Sequence, residues 1–136
     1  MSASPAQPQR RSCCPVACTL DLLGDRWTLL VIRDLMRGVD RYSDFAASPE
    51  KIATNILADR LDQLVAHGIA ERFTPPGRKH PRYRLTDRGH DLRPVLGAVA
   101  DWGLRHIPGT EARLAPPSTP SARRTTSPAR RTRNTD

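Results

Sequence analysis

Residues 51–68, KIATNILADRLDQLVAHG, run into IAERFTPPGRKHPRYRL at 69–85 and TDRG at 86–89, and this stretch decides the fold. In its first part Ile52, Ile56, Leu57, Leu61, Leu64 and Val65 recur at helical spacing and predict one apolar stripe. Thr54, Asn55, Ala58, Asp59 and Asp62 fall on the opposite side. After His67-Gly68, residues 69–74 and 82–85 read as two short strands of a hairpin. Ile69, Phe73, Tyr83 and Leu85 suit its inner face, although Glu71 falls in the same register. Between the strands Pro75, Pro76, Gly77 and Pro81 limit the pairing, while Arg78, Lys79 and His80 crowd the tip.

A helix followed directly by a cationic hairpin is the layout of a winged helix-turn-helix, and its ligand is duplex DNA. Thr54, Asn55 and Ala58 are small enough to let the helix approach base edges in a major groove. Asp59 and Asp62 would oppose phosphates unless Arg60, Lys51 or a neighbour offsets them, so Arg60 joins the candidate contacts. Six basic residues between Arg72 and Arg88 face one acid, Asp87, which places Arg78, Lys79, His80 and Arg82 as backbone or minor-groove contacts. Plainer readings stand beside these: helix capping and solvation for Thr54 and Asn55, and a solvated loop for the hairpin tip.

Outward from that stretch the chain is mostly helical. Val16, Leu20 and Leu23 make a short helix ending at Gly24. A second helix runs from near Arg26 through Val31 and Leu35 to Gly38, a residue suited to the left-handed position after a helix. Tyr42 to Ala47 forms a third, with Phe45 pointing inward, and Ser48-Pro49-Glu50 is a turn. Thr86 can cap a last helix bearing Leu92, Val95, Leu96, Val99, Trp102 and Ile107, in which Pro94 should produce a kink or a restart. So small a domain offers little for that stripe to cover, so part of it is expected to pack on a second copy. A homodimer would set two recognition helices in successive major grooves, over a roughly palindromic site.

The expected fold class is therefore mainly α with a small β-hairpin. One domain, residues 14–112, lies between an N-terminal arm at 1–13 and an Arg/Pro/Ser/Thr-rich tail at 113–136, both of which read as disordered on composition. The net charge of +8 favours a polyanionic partner, yet six arginines after residue 109, against Glu111 and Asp136, hold half of it. The tail reads as a solubilising extension or as a nonspecific phosphate-binding arm. No apolar run approaches a membrane span and no secretory signal is present, so the expected location is the cytoplasm, without a membrane partner.

CPVA at 14–17, LDLLGDRWTLLVIRDL at 20–35, RYSDF at 41–45, NILADRL at 55–61 and YRLTDRG at 83–89, taken in order, resemble the HxlR-type transcriptional regulators over roughly residues 14–112. The resemblance implies a winged-helix, homodimeric bacterial regulator related in fold to the MarR type, with terminal helices making the dimer. By position it places the recognition helix at 52–64 and the wing at 75–82. Ala53 stands where many relatives have a serine, and Asp59 where a neutral or basic residue is often seen. Both departures bear on the operator and not on the fold.

Cys13, Cys14 and Cys18 crowd into six positions, which is no framework for a secreted disulfide domain. Pro15 suits a first helical position and makes Cys14 the N-cap, where the helix dipole, with Arg10 and Arg11 nearby, favours the thiolate. Several HxlR-type members sense oxidants or electrophiles through the cysteine of the CPV motif, so the resemblance implies a redox-sensing role for Cys14. Cys13, Cys18 or Cys14 of a second subunit could resolve it. The alternative is that Cys18 is simply buried as a small apolar residue. Three thiols make a poor zinc site, and a soft-metal or arsenical site is a minor reading, so no metal or cofactor is expected. Phosphate loops and nucleophile elbows are absent, and the chain reads as a non-enzyme. The leading expectation is a sequence-specific, dimeric DNA-binding regulator, with a thiol oxidant, electrophile or small molecule as possible effector. The competing one is a winged-helix protein-interaction module, for which the acidic helix face is the clue.

Overall fold

A computed structural model describes residues 11–111; the expected tail and most of the N-terminal arm, including Arg10, lie outside the described residues. In chain order these are α1 (Pro15–Leu23), α2 (Thr28–Met36), α3 (Tyr42–Ala46), α4 (Thr54–Ala66), β1 (Ala70–Phe73), β2 (Arg82–Leu85), α5 (Asp87–His90) and α6 (Arg93–His106). The strands form one antiparallel hairpin, with Ala70 opposite Leu85 and Phe73 opposite Arg82. Helices with a single hairpin match the mainly α winged helix-turn-helix expected from the sequence.

α2 is the central element. Its start is fixed by Asp25, whose Oδ1 accepts the Trp27 and Thr28 N–H groups at 2.7 and 2.9 Å, while the Thr28 hydroxyl donates to Oδ2. These bonds satisfy donors that a helix N-terminus otherwise leaves orphaned. Val31, Ile32 and Leu35 are buried, and the helix ends at Met36 with Arg37 as its C-cap, followed by Gly38 at φ 88. Only glycine adopts that left-handed geometry without steric cost, as expected for this position. Around α2, Phe45, Leu57, Leu61 and Leu64 are almost wholly buried, and Phe45 meets Tyr83 edge to face at 6.4 Å.

Several local expectations are corrected. The helix expected to begin at Ile52, α4, starts instead at Thr54, because Lys51 sits at φ 56 and Ala53 is extended; Ile52 is nevertheless buried, ahead of the helix. The first strand is shorter than 69–74, since Ile69 is occupied in ending α4: its N–H donates to the Leu64 carbonyl at 2.9 Å. Phe73 does not face inward. Directly opposed residues share a face, so Ala70 and Leu85 define the inner side, while Phe73 lies outside with Glu71 and Arg84. There the Arg84 guanidinium stacks over the Phe73 ring at 4.3 Å and pairs with Glu71. Placing Phe73 outside removes the register conflict at Glu71.

Thr86 caps only the short α5, its hydroxyl accepting the Gly89 N–H at 3.2 Å. Pro94 lies in the first turn of a separate α6. Its ring would collide with the carbonyl four residues back, that of His90, which is where α5 ends. Of the two outcomes expected for Pro94, the structure shows the restart.

Candidate nucleic-acid interface

On α4 the side chains of Thr54, Asn55, Ala58, Asp59 and Asp62 are exposed, opposite the buried Leu57, Leu61 and Leu64. Neither Thr54 nor Asn55 caps the helix: the N-cap is Ala53, with no side-chain capping bond. The capping alternative is therefore removed, and both side chains stand at the exposed first turn. Arg60 is committed elsewhere. Its Nε donates to Asp25 Oδ1 at 3.2 Å and its Nη1 to Asp59 Oδ2 at 2.5 Å, tying α4 to the α1–α2 turn. Gln63 Nε2 also donates to Asp59 at 3.2 Å, so one of the two acids that oppose DNA contact is paired within the helix.

The turn leading into α4 is held by a polar network that sequence reading did not identify. Arg33 donates to Glu50 at 2.6 Å and to the buried Asp34 at 3.0 Å, and the Ser48 hydroxyl, with one proton to donate, lies 3.1 Å from Asp34 Oδ2 and 2.9 Å from Glu50 Oε1. The Arg33 hydrogen bond holds the Glu50 carboxyl at about 2, well below its ordinary value. Burial pushes the Asp25 carboxyl up, but its bonds from Thr28 and Trp27, with the Arg60 charge, outweigh that and hold it at about 2 as well. A signal was available: Asp34 interrupts an otherwise apolar helical stripe, and a buried carboxylate demands partners.

At the wing tip Arg78, Lys79 and His80 are exposed, while Arg82 is half-buried and paired with Asp40 at 3.3 Å. Between the wing and α3 lies a cleft of about 840 Å³, whose lining includes Arg41, Tyr42, Arg72, Lys79 and Arg82. With Arg78, five cations thus border one concavity. Tyr42 donates its hydroxyl to the Thr54 carbonyl at 2.5 Å, which joins the cleft wall to the first turn of α4.

Cys14 is the N-cap of α1, as the sequence suggested, and is exposed; its N–H donates to Ser12 Oγ at 3.0 Å. Cys13 is exposed, and the half-buried Cys18 thiol donates to the Ser12 carbonyl at 3.2 Å; all three are free thiols. Arg11 is drawn into an ion pair with Asp21 at 2.6 Å. Among the described residues no cluster of three or more His, Cys, Asp or Glu is arranged to hold a metal ion. No described helix is long and apolar enough to cross a membrane.

The model of the family described as HxlR-like helix-turn-helix matches residues 22–111. The HTH-type transcriptional regulator YvaP of Bacillus subtilis is 32% identical over 89 residues, covering 65% of this chain and 82% of that protein. Among solved structures, the reduced form of the transcriptional regulator YodB from Bacillus subtilis superimposes with a TM-score of 0.60 at 29% identity, over 74% of this chain and all of the other. The redox regulator HypR in its reduced form gives a TM-score of 0.61 at 29% identity, over 68% of this chain and 92% of the other.

Proposed function

This chain belongs to the HxlR-like helix-turn-helix family of transcriptional regulators, and from that premise we propose that it is a cytoplasmic homodimer that reads a roughly palindromic DNA operator. The observation that carries this reading is the uncapped, exposed first turn of α4, with Thr54 and Asn55 beside a cationic wing. Asn55 reads base edges together with Thr54 and Ala58, while Arg78, Lys79 and His80 grip backbone. Arg60 and Arg82 act mainly by holding α4 and the wing in place, given their pairs with Asp25, Asp59 and Asp40. Val16 and Leu20 of α1, Val99 and Trp102 of α6 and Ile107 just after it are exposed, which supports a dimer through α1 and α6. The chain does its work by binding and has no catalytic step.

The test is binding of the reduced protein, at physiological salt, to DNA from upstream of its own gene and to a scrambled fragment. A preference of about 10³-fold or more is expected of a specific regulator. Asn55→Ala should erode that preference, whereas Arg78→Ala should weaken both complexes alike. Equal binding to both fragments would sink the operator reading and favour partner docking through the acidic face of α4.

A second element of the proposal is thiol regulation, supported by the exposed Cys14 at a helix N-cap and by the likeness to HypR, a redox regulator. The Cys14 thiolate would take the electrophilic oxygen of a hydroperoxide, giving a sulfenic acid and water or an alcohol. A second thiol, Cys13, Cys18 or the other subunit's Cys14, would then displace water to form a disulfide. An oxidant should change DNA affinity in the native chain and leave Cys14→Ser unaffected; an equal response in both would refute the thiol input.

A further inference from the structure

We propose that the cleft between α3 and the wing seats the phosphodiester backbone of the bound duplex, with Arg41 and Arg72 as its phosphate-binding groups. This rests on the DNA-binding reading and adds two contacts, at the N-cap of α3 and on β1, that the wing-tip residues do not supply.

Three observations converge. The first is charge. Arg11, Arg33, Arg60, Arg82 and Arg84 all pair with carboxylates, yet Arg41 and Arg72 border the cleft, exposed and without an ion pair among the described residues. Of the acids beside the cleft, Asp40 is taken by Arg82, and Asp44 of α3 is not part of its lining.

The second is rigidity. β2 holds both cationic walls: Arg82 bridges Arg41 on one edge, Tyr83 lies opposite Arg72 on the other, and the Tyr83 N–H donates to the Asp40 carbonyl at 3.0 Å. Arg41 and Arg72 are therefore two strand spacings apart, about 10 Å, and both line the one cleft, at its opposite walls. Arg82 is a positioning residue here, because its pair with Asp40 ties the wing to the segment carrying Arg41.

The third is placement. The bond from Tyr42 to the Thr54 carbonyl sets this wall against the turn of α4 that carries Thr54 and Asn55. A strand read by that turn must carry its backbone past Tyr42 and into the cleft. Solvated, exposed guanidiniums hold a single small anion weakly. A polyanion gains in addition from releasing its condensed counterions.

The experiment is an anisotropy titration across salt concentration, on operator and scrambled duplexes, for the wild type, Arg41→Ala, Arg72→Ala, the double variant and the matching Lys variants, with circular dichroism as the fold control. Each Ala change should weaken both duplexes by about 3- to 10-fold and reduce the slope of log affinity against log salt by about 0.9, one phosphate contact. The operator preference should stay intact, and Lys should restore most of the slope. Unchanged slopes in Ala variants of a DNA-binding wild type would overturn the seat and leave the regulator reading standing. Loss of operator preference in those variants would overturn it too, since it would make Arg41 or Arg72 a base reader. Saturable binding of adenosine monophosphate to DNA-free protein, lost in the double variant, would assign the cleft to a free phosphate ester instead. A wild type that binds neither duplex would bring down the seat and the DNA reading together.

Discussion

α4 and α6 are nearly equal in length, 13 and 14 residues, and both carry an apolar stripe at helical spacing, yet they end in opposite environments. In α4 Leu57 and Leu61 are 0% exposed and Leu64 is 2% exposed. In α6 only Leu96 is buried, while Val99 is 54% and Trp102 60% exposed. Periodicity shows that a face is apolar and not what covers it. α4 is enclosed by α2, α3 and β1 of its own chain, whereas among the described elements α6 packs chiefly on α2. The first stripe stabilises the protomer. The second contributes little until another surface covers it, which is the physical content of the proposed dimer.

The sharpest way to break this comparison is to truncate both stripes. Leu61→Ala should cost about 2–5 kcal/mol, because the void opens in a fully enclosed core. Denaturant unfolding at fixed protein concentration would read this loss. Trp102→Ala should change the stability of an isolated protomer by less than about 0.5 kcal/mol, as exposed substitutions usually do. It should, however, weaken self-association by about 2 kcal/mol or more, the scale of an aromatic interface anchor, in sedimentation equilibrium. A Trp102→Ala loss as large as that of Leu61→Ala, and independent of concentration, would show that the two helices do not differ in kind.

The same contrast separates what was legible in the sequence from what was not. Element order, the buried face of α4, the left-handed Gly38 and the N-cap Cys14 follow from local rules of spacing, propensity and capping, and were readable. Phe73 was misplaced because a short hairpin gives two registers and the larger apolar residue suggested the wrong one; the exposed Arg84 stacked on its ring tolerates it outside. The commitments of Arg60 and Arg82 were not readable either, since their partners Asp25 and Asp40 lie 35 and 42 residues away. The candidate base contacts were visible one helix turn at a time, whereas the phosphate cleft exists only once α3 and β2 are brought together.

Acid should sharpen the comparison by loosening the approach to α4 before its core. Glu50 and Asp25 are held at about 2, below their ordinary 4.5 and 3.8, so the unfolded chain binds protons more readily than the folded one. Their stabilisation is complete above those ordinary values and is lost as pH falls through them toward about 2. Since both groups remain partly solvated, the combined contribution is about 1–2 kcal/mol after screening. Melting temperature should fall along that acid limb, and Glu50→Gln should flatten its upper part. An unchanged limb in that variant would show that the Arg33–Glu50 pair does not hold the turn.

The smallest net effect is expected for Lys51→Gly, at a residue whose φ of 56 lets the chain turn from Glu50 into the extended Ala53 and so aims α4. A non-glycine residue in this region carries a strain of about 1 kcal/mol. Lys51→Gly relieves it, but the freer unfolded chain takes back about 0.4–1 kcal/mol, so the net change should lie within about 0.5 kcal/mol. Lys51→Val should lose about 1–2 kcal/mol, because a β-branched side chain crowds the backbone when φ is positive. Denaturation midpoints of the two variants, compared at equal slope, read the difference directly. Equal midpoints would mean that the left-handed turn is not what sets the start of α4, and its two-residue offset from the sequence expectation would need another cause.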